Sequence, residues 1–483
     1  MDQPWKMLVY ITADNTLYND ALVSLRQLTD ASLQNNVDII VQLDGPSSDQ
    51  VSRYRCAGGK KELLWQAPDD YTDDRAERLE DFLNSEEAKP STEQRVFLDL
   101  WGHGAGLDHL FLYKETPVVK TATASGLRTP TVDDPNRYVR NIQLASKLSG
   151  FVAKINSATI DPKQIVSEKI NSKQDVRKID LLGLDSCLMG MAEICHELSQ
   201  SVSLMVASDE EVPVGSWPYD CVVGDLNKFP GMDASTLSAV IINRFVESYS
   251  RKGHKTRVSL SSMNLSSSDE LVTAMKALVD ALNAASKPEA DKDGKARQMI
   301  FRARDASRTP DEVTYIDFVV FCEELSESFP EDPAFPENKA VRDAATKVLD
   351  VLVKSSYILY HRDAREDGSI NPYGLAIYFP ETLDTIASQI NQTLKPLVLM
   401  PRNDVKFAGS TTKFAGSTTK SAGGPQITGY EILWGDYQEL LFNKETGWAD
   451  LIYRLLESPN GNAGQTNPPN PAQSSQEHEY ANA

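Results

Sequence analysis

A histidine and a cysteine each follow a buried-looking apolar run of the sequence. The run "RVFLDLWG" (95–102) leads into His103, and the run "KIDLLGL" (178–184) leads, after two intervening residues, to Cys187. A cysteine thiolate attacks a carbonyl carbon when an imidazole is close enough to take the thiol proton and later to protonate the leaving group. These residue types therefore indicate nucleophilic chemistry on an acyl group, provided that the fold brings them together.

The pattern of the chain gives a reason to expect that they meet. Short apolar, β-branched runs are typical of buried strands in a parallel sheet, and here they alternate with segments of helical spacing, which favours a layered α/β fold. Ligands of such sheets bind beyond the carboxyl ends of the strands, so His103 and Cys187 are expected at the same edge. The clearest strand-like runs are residues 7–14, 37–45, 95–102, 178–184 and 202–208.

Two further features suit acyl chemistry at this edge. The oxyanion formed by the attack needs backbone N–H donors, and Gly104 allows close approach because it has no Cβ. A helix is predicted over residues 188–200, directly after Cys187, and its positive end would favour the thiolate. Two alternatives stay open here: Cys187 as a buried structural cysteine, and His103 as a turn or capping residue.

Composition limits the classes of function. The chain has 483 residues, 41% of them hydrophobic, which is enough for at least one large core and on size alone allows two or three domains. Its formal net charge of -20 argues against nucleic acid or an anionic membrane as a partner. No signal peptide or membrane span is predicted, so we expect a cytoplasmic protein. The five cysteines are expected to be mostly reduced core residues, and no metal-ligand spacing or phosphate-binding loop is predicted.

The sequence predicts two main regions followed by weakly folded segments. After the α/β region, helical spacing dominates, although "GLAIYFP" has the pattern of one more buried strand. Later segments include a repeated seven-residue unit rich in Gly, Ser and Thr and a tail rich in Asn, Pro and Gln. The expected regions are an α/β domain (1–265), a mostly helical accessory region (266–400) with a late strand (374–380), a flexible repeat-containing loop (401–428), a packed segment (429–457) and a disordered tail (458–483).

At these motifs the chain resembles the clostripain-like cysteine peptidases, peptidase family C11. The resemblance implies a caspase-like α/β/α sandwich around a mainly parallel sheet. It implies an endopeptidase in which Cys187 is the nucleophile, His103 is the general acid and base, and the backbone N–H groups of Gly104 and Cys187 form the oxyanion hole. Hydrolysis needs no cofactor, and calcium is implied only by its association with some relatives. The matching stretches are "VYITADNTLYNDAL", "LWGHGAG", "LLGLDSCLMGMAEI", "ASDEEVPVGSWPY" and "GLAIYFP".

The resemblance also implies the substrate preference. In the family, an acid two residues before the nucleophile selects a basic P1 residue, and that acid is Asp185 here, so protein or peptide substrates cleaved after Arg, less often after Lys, are expected. The alternative role for Asp185 is to cap the predicted helix 188–200. The segment after the cysteine would line the cleft, although its acids could equally be a solvated loop and its tryptophan ordinary loop packing. The other predicted substrate-binding residues are Ser186, Asp209, Glu210, Glu211 and Trp217.

The segment 114–141 makes the spacing between the histidine and the cysteine longer than the family leads one to expect. Its prolines, threonines and weak apolar periodicity predict an exposed loop. A precursor cut there, by itself or by an upstream protease, would become an active two-chain enzyme. The alternative is a passive insertion. The predicted cleavage sites follow Lys120, Arg128, Arg137 and Arg140.

Two rival functions stay open from the sequence. One is a catalytically silent caspase-like module that binds basic peptides, although such a module has no need of both His103 and Cys187. The other is a different cysteine acyl transferase, which an assay with an added nucleophile would distinguish. The expected cytoplasmic location suggests an intracellular bacterial signalling or defence cascade.

Overall fold

The computed structural model describes most of the chain. The repeat-containing loop 401–428, the tail 458–483, Lys120 and Arg128 lie outside the described residues. The described ranges are 4–46, 50–69, 71–72, 74–107, 111–113, 122–123, 126–127, 135–157, 176–250, 257–309, 314–331, 335–364, 373–382 and 436–457.

Nine strands form one large sheet in the described part of the chain. They are β1 (Trp5–Thr12), β2 (Val37–Asp44), β3 (Val51–Ala57), β4 (Lys60–Ala67), β5 (Arg95–Trp101), β8 (Ile179–Asp185), β9 (Val202–Ala207), β10 (Val258–Asn264) and β12 (Ile358–Ala364). Two short pairs lie outside it: β6 (Ala122–Thr123) with β7 (Gly126–Leu127), and β11 (Tyr315–Asp317) with β13 (Ala376–Tyr378).

The spatial order of the large sheet is β12-β10-β9-β8-β5-β1-β2-β3-β4. β9, β8, β5, β1 and β2 are parallel neighbours, whereas β3, β4, β10 and β12 pair in antiparallel fashion. The parallel strands are the five apolar runs picked out in the sequence, and they are nearly completely buried. This confirms the prediction of an α/β fold around a mainly parallel sheet.

Helices cover both faces of the sheet. One face packs against α1 (Tyr18–Ala31), α5 (Tyr219–Lys228) and α6 (Ala234–Ser250). The opposite face shares one buried core with α2 (Arg75–Asn84), α3 (Asn141–Ser157), α4 (Ala192–Leu198), α7 (Ser268–Ala285), α8 (Lys295–Ala306), α9 (Phe318–Ser328), α10 (Pro336–Leu349), α11 (Leu441–Thr446) and α12 (Trp448–Glu457). Short 3-10 turns lie at Ser32–Gln34, Pro135–Arg137 and Leu265–Ser267, and a π-helical turn at Asp350–Lys354.

Two strand-forming regions, the β3–β4 hairpin and β12, were missed in the sequence. β3 and β4 form a hairpin whose turn contains Gly58 and Gly59, both with positive φ (59° and 71°), and a Gly-Gly pair between strand-like runs is a known signal for such a turn. β12 joins the edge of the large sheet beside β10. The late strand expected at 374–380 is shorter, and it pairs with β11 instead of the large sheet.

The core does not divide at residue 265. One continuous buried cluster contains Leu98 of β5, Leu184 of β8, Leu278 of α7 and Trp448 of α12. The helical second half therefore shares its core with one face of the sheet. No helix in the described residues is both long and apolar enough to span a membrane.

Candidate active site

Neighbouring strand ends bring the histidine and the cysteine to one edge of the sheet. β5 and β8 are paired in register so that Trp101 lies opposite Asp185, and the Gly102 N–H donates to the Asp185 carbonyl at 3.3 Å. His103 follows one strand by two residues, and Cys187 follows the other by two residues. Both side chains are half-buried, as expected for groups at the mouth of a site.

Gly104 allows the two loops to touch. A Cβ atom at position 104 would lie 2.6 Å from the Cys187 carbonyl oxygen and 2.8 Å from the Ser186 Cβ. Real Cβ atoms essentially never approach so closely, so any other residue here would push the loops apart. The predicted need for glycine beside the histidine is thus a matter of packing against the cysteine loop.

The Cys187 sulfur lies against the segment that follows β9. The Val212 N–H donates to Cys187 Sγ at 3.3 Å, and the thiol lies 3.7 Å from the Val212 carbonyl oxygen. The Leu188 N–H donates to the Glu210 carbonyl at 3.0 Å, and the Gly190 N–H donates to the Ser208 carbonyl at 2.7 Å. The cysteine loop is therefore fixed by backbone contacts with the segment predicted to line the cleft.

The prediction of a helix starting directly after Cys187 is wrong. Leu188 has a left-handed backbone conformation (φ 61°), which a helix cannot continue through, and α4 begins only at Ala192. A tight turn occupies the intervening residues, and a Cβ at Gly190 would lie 2.9 Å from the backbone of Ser208. A helix dipole therefore does not stabilise the Cys187 thiolate, because the effect of a helix end falls off within the first turn.

Burial changes the acid–base behaviour of His103. Desolvation lowers the pKa of its imidazolium below the usual value. The imidazole is therefore neutral at pH 7 and has one unprotonated ring nitrogen that can accept the thiol proton. The His103 carbonyl accepts a hydrogen bond from the Leu112 N–H at 2.9 Å, which fixes the backbone of the histidine loop.

Asp185 is buried and asymmetrically hydrogen-bonded. Its Oδ2 accepts from the Ser216 hydroxyl, from the Trp217 N–H at 3.1 Å and from the Tyr219 hydroxyl at 2.8 Å. Its Oδ1 is buried and accepts no hydrogen bond from the described residues. Asp185 does not cap α4, whose N-cap residue is Met191.

Asp99 of β5 is a second buried carboxyl in contact with the same tyrosine. Its Oδ2 lies 2.5 Å from the Tyr219 hydroxyl, and its Oδ1 has no hydrogen-bond partner among the described residues. Gly183 makes this approach feasible, since a Cβ there would lie 2.5 Å from Asp99 Oδ1 and 3.0 Å from the Trp217 ring. The two acids and Tyr219 form one buried hydrogen-bonded chain.

Both acids bind protons more tightly than exposed carboxyls do. Burial raises the pKa of Asp185 to about 6, although its three hydrogen-bond donors counteract part of the effect. The pKa of Asp99 is raised well above its usual range, first by burial and then by the negative charge of Asp185. At neutral pH this pair therefore favours a state with a proton on Asp99.

The remaining predicted cleft residues differ in their surroundings. Asp209 and Glu210 are fully buried, so they are not part of a solvated loop, and the Ser259 hydroxyl donates to Asp209 Oδ1 at 2.6 Å. Glu211 is exposed. Trp217 is fully buried and packs against Gly183, so it is not an exposed loop residue. Ser186 is buried with its hydroxyl unpartnered among the described residues.

The carboxyl end of the segment 114–141 is ordered, contrary to the expectation of one exposed loop. Arg137 is 6% exposed and its guanidinium lies over the Tyr113 ring at 5.0 Å. Arg140 immediately precedes α3, and its carbonyl accepts the Leu144 N–H of the first turn. A peptidase needs an accessible, extended bond, so both positions are poor targets in the folded protein.

Sequence reasoning missed Asp99, Ser216 and Tyr219. Asp99 interrupts an apolar strand ("RVFLDLW"), and a lone acid in a buried strand is a signal that could have been used. Ser216 has positive φ (56°), and its hydroxyl oxygen accepts from Trp101 Nε1 at 2.6 Å, neither of which is visible in the sequence. Among the described residues no group of three or more His, Cys, Asp or Glu side chains could hold a metal ion.

A sequence model of the clostripain family matches residues 163–455, more than half of the chain. The chain belongs to the clostripain family. It is therefore a cysteine endopeptidase by descent, and the match includes Cys187. The matched region begins after His103, so the role of the histidine rests on its position in the fold.

Two solved structures show the same caspase-like fold. A secreted C11 cysteine protease from Bacteroides thetaiotaomicron, solved with an irreversible peptide inhibitor, has 14% identity and a TM-score of 0.51, and the alignment covers 78% of this chain and 93% of that one. A structure of iotapain, a secreted C11 cysteine protease from the same organism, has 16% identity and a TM-score of 0.51 over 78% of this chain and 94% of its own. No curated protein matches the sequence.

Pairing of Cys187 with His103, if it occurs, predicts selective alkylation of one cysteine. Cys56, Cys195 and Cys322 are buried with raised thiol pKa values, so they should resist iodoacetamide in the native protein. Cys187 is partly exposed and Cys221 is exposed, with a pKa raised first by desolvation. We expect Cys187 to react first, as measured by peptide mass spectrometry.

Cys221 supplies the internal control for this measurement. His103→Ala should slow labelling of Cys187, because the thiol loses its base, and should leave the rate at Cys221 unchanged. Equal labelling rates of Cys187 with and without His103 would contradict the pairing of the two residues.

Proposed function

We propose that this clostripain-family enzyme cleaves protein or peptide substrates after basic P1 residues, Arg in preference to Lys, through a thioester on Cys187. The hydrogen bonding of Asp185 is the observation that supports this P1 preference. One carboxylate oxygen is saturated by three donors, and the other is buried without a partner among the described residues. A buried oxygen that lacks a donor costs free energy until a ligand supplies one, and a guanidinium supplies two from a planar fork.

Proton counting supports a single negative charge in the acid pair. Tyr219 has one hydroxyl proton, yet its oxygen is within hydrogen-bond distance of both Asp99 and Asp185. It can donate to one carboxylate and must accept from the other carboxyl, so one of the two acids is protonated. Asp185 Oδ2 has two further donors, which favours its ionised form, whereas Asp99 has none. The proton therefore belongs on Asp99, and Asp185 keeps the charge that pairs with a cationic P1 group.

The catalytic steps follow from the placement of His103 and Cys187. The neutral imidazole takes the thiol proton as Cys187 attacks the scissile carbonyl, and the imidazolium then protonates the leaving amine. The backbone N–H groups of Gly104 and Cys187, which belong to two loops in close contact at Gly104, would stabilise the oxyanion. Water then hydrolyses the thioester with His103 acting as base. Calcium, expected only from the family, has no assigned role in these steps.

We further propose that the enzyme is made as a precursor cleaved in the segment between the catalytic residues, by itself or by an upstream protease. Since Arg137 is buried and Arg140 adjoins a helix, the proposed sites narrow to Lys120 and Arg128, which lie outside the described residues. The two chains would stay together, because β5 and β8 are hydrogen-bonded neighbours from Phe97 and Leu181 to Trp101 and Asp185. Cytoplasmic location and a role in an intracellular cascade stay predictions, and both relatives described above are secreted.

Loss of either dyad residue is expected to abolish turnover. Cys187→Ala removes the nucleophile and His103→Ala removes its base, so each should lower kcat/KM for a small arginyl reporter by at least about 10⁴-fold. The measurement should use processed enzyme, with circular dichroism to verify the fold. Cys221→Ala, an exposed cysteine outside the site, is the matched control and should be as active as wild type. Residual turnover in Cys187→Ala would rule out the thioester mechanism.

Replacing the charged acid should change substrate preference more than general activity. A buried carboxylate facing a guanidinium contributes on the order of 2 to 4 kcal/mol, so Asp185→Asn should lower kcat/KM for arginyl substrates by roughly 30-fold or more, with a smaller loss for neutral P1 residues. In wild type the same preference should decline as pH falls through about 6, because Asp185 then becomes protonated. Parallel pH profiles for arginyl and neutral substrates measure both effects.

Two asparagine variants separate charge from fold in this experiment. Asp180→Asn changes an acid of the same strand about 17 Å from Asp185, where Oδ2 accepts the Val96 N–H, and should leave the preference intact. Asp99→Asn keeps a donor for Tyr219 and should cost far less than Asp185→Asn. An equal loss for all P1 residues in Asp185→Asn would show damage to the Ser216–Tyr219 segment instead of lost recognition.

Blocking cleavage in the 114–141 segment should keep the enzyme inactive and single-chain. A variant with Lys114, Lys120 and Arg128 all changed to Gln removes the basic residues of this segment that lie outside the described structure. Arg140→Gln is the control, because its bond precedes α3 and should not be the activation site. Electrophoresis and terminal sequencing of active enzyme report the cut. Full activity from the uncut triple variant would refute activation by cleavage and leave the dyad untouched.

A further inference from the structure

The two-stranded sheet of β11 and β13 touches both catalytic loops, although it belongs to the second half of the chain. β11 and β13 pair in antiparallel fashion from Tyr315 opposite Tyr378 to Asp317 opposite Ala376. Neither strand joins the large sheet. Their buried side chains lie in the core cluster that also contains Leu100 and Leu184, near the ends of β5 and β8.

Tyr315 of β11 holds the histidine loop by its hydroxyl group. The hydroxyl donates to the Ala105 carbonyl at 2.8 Å and accepts from the Leu107 N–H at 3.0 Å. The two bonds lie on either side of Gly106, two residues from Gly104. Tyr315 is 1% exposed, so water does not compete with these bonds.

Gly106 makes room for the Tyr315 hydroxyl because it has no Cβ. Its φ of 66° is strained for other residues, and a Cβ would lie 2.7 Å from Tyr315 Oη and 2.8 Å from Met191 Sδ. The histidine loop, Tyr315 and the residue that precedes α4 are therefore packed in direct contact. A change in any one of them has to move the others.

β13 holds the cysteine loop through its backbone. The Ala376 N–H donates to the Gly190 carbonyl at 2.8 Å, and Met191 and Ala376 form an isolated parallel bridge. Gly190 is three residues after Cys187 and is fixed on its other side by Ser208. One strand of the small sheet therefore contacts the histidine loop, and the other contacts the cysteine loop.

We propose that the β11–β13 sheet sets the relative position of the two catalytic loops and that Tyr315 is a positioning residue for His103. This inference rests on the Cys187–His103 dyad proposed above. The β5–β8 pairing fixes where the two loops leave the large sheet, but it leaves their far ends free. The small sheet ties those far ends to each other, so the helical second half is part of the catalytic apparatus. Misplacement of a catalytic group by about 1 Å can cost about 100-fold in rate.

The test compares three variants of the processed enzyme. Tyr315→Phe removes only the hydroxyl and should lower kcat for an arginyl reporter by roughly 10- to 100-fold while KM changes less than about 2-fold, since Asp185 is unaffected. Gly106→Ala places a methyl group against the Tyr315 hydroxyl and should likewise lower kcat with little change in KM. Tyr357→Phe is the control, because Tyr357 is equally buried in the same core. Its hydroxyl contacts the Ser268 hydroxyl at 3.3 Å and the Cys195 thiol of α4, and it has no hydrogen bond to the histidine loop among the described residues.

Two readouts distinguish positioning from general damage. Tyr315→Phe should slow iodoacetamide labelling of Cys187 and leave labelling of Cys221 unchanged. The melting temperatures of Tyr315→Phe and Tyr357→Phe should agree to within a few degrees. Wild-type kcat in Tyr315→Phe, or equal losses in both tyrosine variants, would overturn the inference. Activity that survives in Cys187→Ala would instead refute the dyad. The failure of this inference and the failure of the proposed function are therefore distinguishable.

Discussion

The parallel pairing of β5 with β8 is the constraint on which the site depends. It places Trp101 opposite Asp185, so that the chain leaves the sheet at two neighbouring points with a histidine and a cysteine two residues beyond them. Close packing then decides the geometry, because Gly104 leaves no room for a Cβ between the loops and Gly183 leaves none between Asp99 and Trp217. Segments far apart in sequence thereby reach one edge, and backbone contacts do most of the positioning.

Local sequence patterns predicted the central strands well and the loops poorly. A buried parallel strand has an apolar signature that survives without knowledge of its partners, which is why β8 and the polar residues after it could be predicted. The turn after Cys187 carries helical spacing at Leu188 and Met191, yet both residues face the core from a non-helical segment. What overrides the helical pattern is the contact of Gly190 with Ser208, a tertiary interaction that no local window contains.

The helical region expected from residue 266 onward shares its core with the sheet, and the sequence did not show this for a related reason. Helical periodicity reports that a segment has an apolar face, but it does not report what covers that face. Here Leu278 and Trp448 pack into the same cluster as Leu98 of the sheet, and Tyr315 reaches the histidine loop. A lone tyrosine in a short strand gives no sequence signal for such a role, since buried tyrosines usually serve the core. Residues that contact the two loops therefore lie well beyond residue 265.

Two groups of buried acids lie at the same edge of the sheet, and their difference bears on substrate choice. At the end of β2, Asp44 is neutralised by Arg75, whose Nη1 lies 2.8 Å from Asp44 Oδ2, and Arg78 pairs with Asp69 at 3.0 Å. At the end of β8, Asp185 has hydroxyl and amide donors but no basic partner among the described residues, and Asp99 has only Tyr219. A buried carboxylate is stable only when an opposite charge neutralises it or when it is protonated. An arginine of the protein neutralises Asp44, whereas Asp99 and Asp185 share one proton. A cation that enters beside Asp185 would pair with this carboxylate in the way that Arg75 pairs with Asp44. A substrate arginine carries the same guanidinium group as Arg75.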